Sequence, residues 1–332
     1  MRTAGLVLLI IVALGFDFTN GFHDSANAVA VSITTKALRP MVALLMAAAF
    51  NVVGALVSTK VAATVGSGII ATPAGTHGLV IVFAALIGAI AWNLVTWWFG
   101  LPSSSTHALI GGLIGAAIGA ANSVHWGGVV SKVVLPMLVS PFIGLVLGSM
   151  LVVAILRAFR RSRPVVVNRG FRNAQVVSTG VMSFSHGTQD AQKTMGVITL
   201  ALLATGHLRS FHVPIWVVLA AAGAMGLGTF AGGWRVIKTL GRRITALDPP
   251  RAFAAQTSAS AVLLASAYAY AMPVSSTYLM TSSVVGVGAT RRASAVRWGV
   301  TRRVAFAWVL TLPGAAVTAW VVYQLAHAVT AK

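Results

Sequence analysis

The feature that most constrains this chain is a series of long apolar runs without charged residues, which together cover almost its whole length. Of its 332 residues, 57% are hydrophobic and only 8% are charged. So little polar surface cannot cover this apolar mass in water. A helix that crosses a bilayer needs about 20 apolar residues. The sequence therefore predicts an all-α polytopic membrane protein, and it excludes a soluble enzyme and a single-span receptor.

Ten membrane spans are predicted from these runs, with boundaries good to several residues. The stretch 61–131 contains no Lys, Arg or Asp, so it has room for an additional short or re-entrant helix. The predicted spans are 4–31, 40–59, 79–99, 102–122, 133–156, 175–200, 212–234, 252–272, 273–290 and 304–327.

The basic residues predict how the chain is oriented. Lys and Arg number 24 against four acidic residues, for a formal net charge of +20. In a membrane protein this excess indicates a basic cytoplasmic face that meets anionic lipid rather than a nucleic-acid site. The loops after the odd-numbered spans carry 18 of the 24 basic residues. We therefore predict a multi-pass protein of the cell membrane with these loops in the cytoplasm and both termini outside.

Two short segments recur in the same order in the two halves of the chain. The first Gly-Asp segment, 20–27, aligns with the second Gly-Asp segment, 186–193, at an offset of 166. The first serine-rich segment, 102–107, aligns with the second serine-rich segment, 273–278, at an offset of 171. Two collinear matches at nearly equal offsets are hard to obtain by chance, so they indicate an internal repeat.

The repeat predicts how the chain is organised. Residues 1–156 and 175–332 would each form a membrane repeat of five spans, joined by a basic cytoplasmic linker at 157–174. Because five is odd, the second repeat would enter the membrane in the opposite sense. Such inverted repeats are typical of secondary transporters, whose site lies near the bilayer midplane between interrupted helices.

Asp24 and Asp190 lie at equivalent positions of the two Gly-Asp segments, inside apolar spans. A buried carboxylate is costly unless it is paired, so each is either a structural hydrogen-bonding group or functional. The chain has only four acidic residues, and two of them lie at equivalent places in the repeat. This favours a functional role over a structural one. A carboxylate at the midplane suits a coupling cation, either Na⁺ or a proton. Asn20 and Asn27 flank Asp24 on one helix face and add amide oxygens.

Around Asp190 the polar residues are Gln189, Gln192 and Lys193. Gln192 is a further candidate ligand of the cation. Lys193 either neutralises Asp190 or contacts an anion directly. Asp17 either supports the site or is solvated at a helix end, and Asp248, in a basic loop, is expected to form a turn or a helix cap.

Three histidines lie beside the repeated segments: His23, His186 and His107. A single intramembrane histidine is usually a polar packing residue. Three in these places also suit proton handling or substrate contact.

The serine-rich segments indicate an anion site. Pro102 and Pro273 are expected to begin helices, whose free N–H groups and positive dipole ends attract negative charge. The alternative is ordinary helix capping and packing between membrane helices. The candidate anion donors are Ser103, Ser104, Ser105, Thr106, Ser275, Ser276, Thr277, Gln189 and Lys193.

These segments resemble the PiT family of inorganic phosphate transporters, in particular the bacterial Pit type of low-affinity phosphate permease. Residues 20–28 and 185–193 are similar to the two Gly-x-x-Asp motifs of that family, and 97–107 and 273–277 to the segments that complete its site. The resemblance covers essentially the whole chain. Gln189 departs from it, where the family often has Asn, and so does Tyr278, where His is usual.

The resemblance implies symport of inorganic phosphate with Na⁺ or H⁺ by alternating access, commonly as a homodimer, with no enzymatic activity and no resident cofactor. In bacterial members the substrate can be a neutral metal–phosphate complex that moves with a proton, so a divalent metal carried with phosphate is a further expectation. The identity of any metal stays open. Gln189 and Tyr278 leave the coupling cation open as well.

Other functions fit parts of the pattern. A sulfate permease of the same fold would use the same donors for a tetrahedral oxyanion. An intramembrane hydrolase, either aspartyl with Asp24 and Asp190 or serine with Ser105 and His107, would use two of the polar groups. Such an enzyme has no reason to duplicate both segments, and a passive channel needs no paired cation and anion site.

Overall fold

The structure is a computed structural model that describes residues 2–67, 69–70 and 75–330. Almost all of this part of the chain is helical, and two stretches, Val130–Val134 and Thr239–Arg243, are π-helical. The α-helices, numbered in chain order, are α1 Arg2–Thr34, α2 Pro40–Val57, α3 Lys60–Ser67, α4 Gly75–Trp98, α5 Ser105–Gly119, α6 Trp126–Val129, α7 Leu135–Ala158, α8 Pro164–Ala204, α9 Ile215–Ala231, α10 Trp234–Lys238, α11 Pro249–Ala269, α12 Ser276–Ala289 and α13 Trp298–Thr330.

Each of the ten predicted spans overlaps one of these helices, and α3 is a short additional helix that enters the uncharged stretch 61–131. By length and composition, five helices of the described residues can cross a membrane, or six if α9 and the helical residues after its 57° bend form one span. The prediction of an all-α polytopic protein is confirmed. Because α8 begins at Pro164, the last residues of the basic stretch 157–174 form its first turns.

The helices expose large apolar side chains, and a polar centre lies among their buried apolar residues. Phe142, Val309 and Leu227 are each more than 60% exposed, on three different helices. Asp24, Asp190 and many hydroxyl side chains are almost fully buried. This arrangement suits a protein whose outer surface contacts lipid and whose polar groups bind one another or a substrate.

The two serine-rich segments form half-length helices. With 15 and 14 residues, α5 and α12 are about 20 Å long, against the roughly 30 Å of a bilayer core. The expectation that Pro102 and Pro273 begin these helices is wrong. Each helix starts three residues later because a serine caps it, Ser104 accepting from the backbone N–H of His107 and Ser275 from that of Tyr278, both at 3.3 Å.

Long helices from both halves hold the half-length helices in place. Helix α1 packs against α8, α9 and α4, while α5 lies between α4 and α13, and α12 between α7 and α11. The glycines of both Gly-Asp segments permit close helix approach. A Cβ on Gly21 would lie 2.5 Å from the carbonyl oxygen of Met225, and one on Gly187 would lie 2.1 Å from that of Asn51.

Outside the polar centre, Asp248 caps α11 by accepting from the backbone N–H of Arg251, and it also pairs with the Arg251 guanidinium. This confirms the prediction that Asp248 forms a turn or a helix cap.

Candidate functional site

The carboxylate of Asp24 lies where α1 meets the N-termini of both half-length helices. Ser105 donates to its Oδ2 at 2.8 Å, and Thr277 donates to its Oδ1 at 3.2 Å. The Nδ1 of His23 lies 2.8 Å from the same Oδ1. Residues from three helices that are distant in sequence therefore meet at one carboxylate.

The carboxylate of Asp190 on α8 also has three partners, of which the serine is equivalent to Ser105 in the repeat. His186, one turn earlier on the same helix, places Nε2 2.7 Å from Oδ2, and Lys193 places Nζ 3.0 Å from Oδ1. Ser276, at the start of α12, donates to Oδ2 at 3.4 Å. Lys193 is thus the direct counter-charge of Asp190, one of the two roles that the sequence left open.

The equivalent contacts extend to the next residues. Lys193 donates to the hydroxyls of Ser105 and Thr106 at 2.9 and 3.0 Å. Asn27, which aligns with Lys193 in the repeat, donates to the two corresponding hydroxyls of the second serine-rich segment at 3.2 and 2.9 Å. Each Gly-Asp segment therefore binds the serine-rich segment of the opposite half.

Among the described residues, Asp24, His186 and Asp190 form a cluster that could hold a metal ion. Their ligand atoms all lie within 4.8 Å of one another. Each side chain is at most 2% exposed. We call these three residues the acid cluster. Two carboxylates and one imidazole nitrogen are ligands that suit a divalent metal such as Zn²⁺ or Mn²⁺, while the carboxylates alone would also suit Na⁺ or a proton.

The three candidate histidines occupy different places. His186 belongs to the acid cluster, and its Nδ1 lies 3.2 Å from the amide oxygen of Asn51. His23 contacts Asp24, and its Nε2 faces the hydroxyls of Thr96 and Ser103 at 3.3 and 3.4 Å. His107 is directed away, and its ring packs against Tyr278 at 4.9 Å between centroids.

Several candidate residues have their polar atoms elsewhere. Gln189 donates to Ser266 on α11 at 2.7 Å, and Gln192 accepts from the backbone N–H of Val61 at 2.6 Å. Ser104 and Ser275 are helix caps, as described above. The Asn20 side chain faces the Asp17 carboxylate instead of that of Asp24.

The structure also brings in polar residues that lie outside both repeated segments. Thr96 bonds Ser103 at 2.7 Å, and Asn51 links His186 to Thr229 on α9. Their only sequence signal is a polar side chain in an otherwise apolar span. That signal is too common to select them without knowing which helices are neighbours.

The chain is similar to known proteins of one family. A family model described as "Phosphate transporter family" matches residues 20–319. A protein of Mycobacterium bovis named "Probable low-affinity inorganic phosphate transporter" is 45% identical over 326 residues, which are 97% of this chain and 78% of the relative. A protein of Bacillus subtilis with the same name is 43% identical over 320 residues, 96% of each chain.

A solved structure titled "The sodium-dependent phosphate transporter" has a similar fold. The TM-score is 0.82 at 25% sequence identity, and the match covers 97% of this chain and 98% of the other. All these relatives are transporters by name, and none is an enzyme.

Proposed function

Because the chain belongs to the phosphate transporter family, we propose that it moves inorganic phosphate across a membrane together with a cation, by alternating access. One observation supports this most strongly. Both half-length helices point their N-termini at the buried carboxylates of Asp24 and Asp190, and equivalent residues of the two halves make equivalent contacts there.

The anion site in this proposal consists of the side chains at the two helix N-termini together with Lys193. The first turns of α5 and α12 carry free N–H groups and a positive dipole end, which attract a phosphate. Ser105, Thr106, Ser276 and Thr277 add hydroxyl donors from opposite sides. An oxyanion with four oxygens needs such converging donors.

The charges of the site call for a cation. Two carboxylates and one ammonium leave a net negative charge when both histidines are neutral. A phosphate anion brought alone into this buried site would meet like charge in surroundings of low dielectric constant, which is costly. A cation that enters together with the phosphate removes that cost. Coupling therefore follows from electrostatics, and the name of the sodium-dependent structural relative supports it.

A metal–phosphate complex is a second candidate substrate, and His186 is the observation that favours it. Imidazole nitrogen is a good ligand of divalent transition metals and a poor partner for Na⁺. In this version Asp24, His186 and Asp190 would bind the metal of the complex, and the hydroxyls with Lys193 would bind its phosphate. The metal is then part of the substrate.

The equivalent contacts also support a two-fold relation between the repeats 1–156 and 175–332, which five spans in each repeat would make an inverted one. Each half would supply one carboxylate, one half-length helix and one polar residue that bonds to the other half. The site residues are almost fully buried, so substrate access requires the two halves to move relative to each other. This is the physical basis of the alternating-access proposal.

We further propose that both termini lie outside the cell membrane. We also propose that the protein forms a homodimer. Light scattering of the purified protein would test the homodimer.

The test is uptake of labelled phosphate into liposomes that contain the purified protein. We expect accumulation when a Na⁺ or pH gradient is imposed, and loss of that accumulation in Asp24→Asn and Asp190→Asn. Uptake of divalent metal and phosphate in equal amounts, abolished by a chelator, would favour the complex. Unchanged accumulation in both variants would contradict the assignment of the acid cluster.

Two controls complete this test. Excess unlabelled sulfate separates a phosphate carrier from the sulfate permease considered above. Sulfate would abolish the uptake of labelled phosphate only if the protein were a sulfate permease. Gln256→Ala is a matched polar variant of a buried residue, because Gln256 donates to the backbone of Ala28 and belongs to no proposed ligand set. It should retain coupled uptake.

A further inference from the structure

A third buried carboxylate, Asp17, is not part of the acid cluster. It is on α1, two turns before Asp24 and on the same face of the helix. Its side chain is 0% exposed, and neither of its oxygens accepts a hydrogen bond from any described residue. Asp24 and Asp190 each have three hydrogen-bond or ion-pair partners, so among the described residues Asp17 is the buried acid that lacks both.

The polar neighbours of Asp17 are also without partners. The side chains of Thr194 on α8 and Asn20 on α1 face its carboxylate. Both are 0% exposed, and their only polar neighbour in this place is the Asp17 carboxylate, to which neither makes a close, well-aligned hydrogen bond. Buried polar groups are nearly always bonded, so several open ones side by side indicate a ligand.

Asn93 on α4 lies at the same level. Helices α1 and α4 run side by side in parallel, because Gly5 approaches Leu79 and His23 approaches Thr96. Asn93 is one turn before Thr96, as Asn20 is one turn before His23. Its amide is likewise buried and without a described partner. Asn93 therefore lies at about the level of Asn20 along the two parallel helices.

The charges near Asp17 do not neutralise it. Lys193 and Asp190 are the charged groups that face it. The Lys193 ammonium already bonds Asp190, Ser105 and Thr106. Helices α4 and α9, which also pack on α1, contain no Lys, Arg, Asp or Glu. An ionised carboxylate in these surroundings is unstable unless a positive charge joins it.

We propose that Asp17, with Asn20 and Thr194, binds a monovalent coupling cation, at a site separate from the acid cluster that binds the substrate. The shared chemistry is one positive charge on a carboxylate oxygen, supplied by Na⁺ or by a proton. The inference rests on the proposed transport function and deepens it. Coupling and substrate binding then use different carboxylates, and they should be separable by mutation.

The experiment compares two activities of the reconstituted protein. Exchange of labelled for unlabelled phosphate needs only the substrate site, whereas accumulation against a concentration difference also needs the coupling site. Asp17→Asn should keep exchange and lose accumulation under both Na⁺ and pH gradients. In wild type, the gradient that drives accumulation identifies the cation. Asp24→Asn should lose exchange and accumulation together.

Two results with Asp17→Asn would overturn the proposal. One is accumulation equal to that of wild type. The other is loss of exchange in a protein that elutes as a folded species, which would place Asp17 in the substrate site. A wild-type protein that neither exchanges nor accumulates phosphate would instead refute the transport function, so the two failures are distinguishable.

A second pair of variants covers the case in which Asp17→Asn does not fold. Thr194→Val removes a hydroxyl that faces Asp17, while Thr199→Val removes one that only bonds the carbonyl oxygen of Met195 on its own helix. Thr194→Val should require a higher concentration of the driving cation for half-maximal accumulation, and Thr199→Val should not. Equal requirements in the two variants would overturn the proposal.

Discussion

Lys193 carries the main counter-charge of the site, because its ammonium lies 3.0 Å from the Asp190 carboxylate with both groups at most 1% exposed. Removing one partner of a buried ion pair leaves the other charge uncompensated, at a cost of about 3–5 kcal/mol. We therefore expect Lys193→Met to lower the unfolding temperature markedly. Adding Asp190→Asn to it should restore much of the loss. Thermal unfolding in detergent measures both, and equal losses in the single and double variants would contradict this role.

Neighbouring serines of one segment should respond differently to the same change. Ser105 donates to Asp24 and accepts from Lys193, whereas the Ser104 hydroxyl accepts the backbone N–H of His107 as a helix cap. Ser105→Ala should raise the KM for phosphate in liposomes. Ser104→Ala should leave KM unchanged and destabilise the protein by about 1 kcal/mol, as the loss of a cap does. The reverse pattern would show that Ser104, and not Ser105, donates to the anion.

At the scale of elements, the two half-length helices depend on close packing. Gly115 on α5 meets α13 so closely that an added Cβ would lie 2.0 Å from the carbonyl oxygen of Ala316. Gly115→Ala should force α5 and α13 apart and lower stability by about 1–3 kcal/mol or more, the usual cost of overpacking.

Gly127 is the matched control for that variant, because a Cβ there meets nothing within 4 Å. Gly127→Ala should therefore leave the unfolding temperature close to that of wild type. If Gly115→Ala is equally harmless, the close contact of α5 with α13 does not hold the half-length helix in place.

The helices themselves were largely predictable, because length and apolar character act locally along the chain. All ten predicted spans overlap a helix. The starts of α5 and α12 were not predictable from proline alone. Proline tolerates the first helical turn, but whether a serine two residues later caps the helix instead depends on the path of the preceding chain.

At the scale of the whole molecule, the basic loops predict a testable orientation. The chain contains no cysteine, so single cysteines can report on each side of the membrane. Ser162 lies in the basic stretch after α7, and Ser210 in the loop after α8; both are exposed. An impermeant maleimide added to whole cells should label Ser210→Cys directly, and Ser162→Cys only after the membrane is opened. Labelling of Ser162→Cys alone in intact cells would reverse the orientation.

The sequence by itself determined that the chain is a helical membrane protein, and it selected Asp24, Asp190, Lys193 and the serine-rich segments. These follow from hydropathy and from repetition, which need no knowledge of neighbours. Only the tertiary structure decided which of these groups meet. It joined Ser105 to Asp24 and Lys193, directed Gln189 and His107 elsewhere, and left Asp17 open beside Thr194. The physical reason is that hydrogen bonds between distant helices depend on helix packing and rotation, which no local segment of the chain contains.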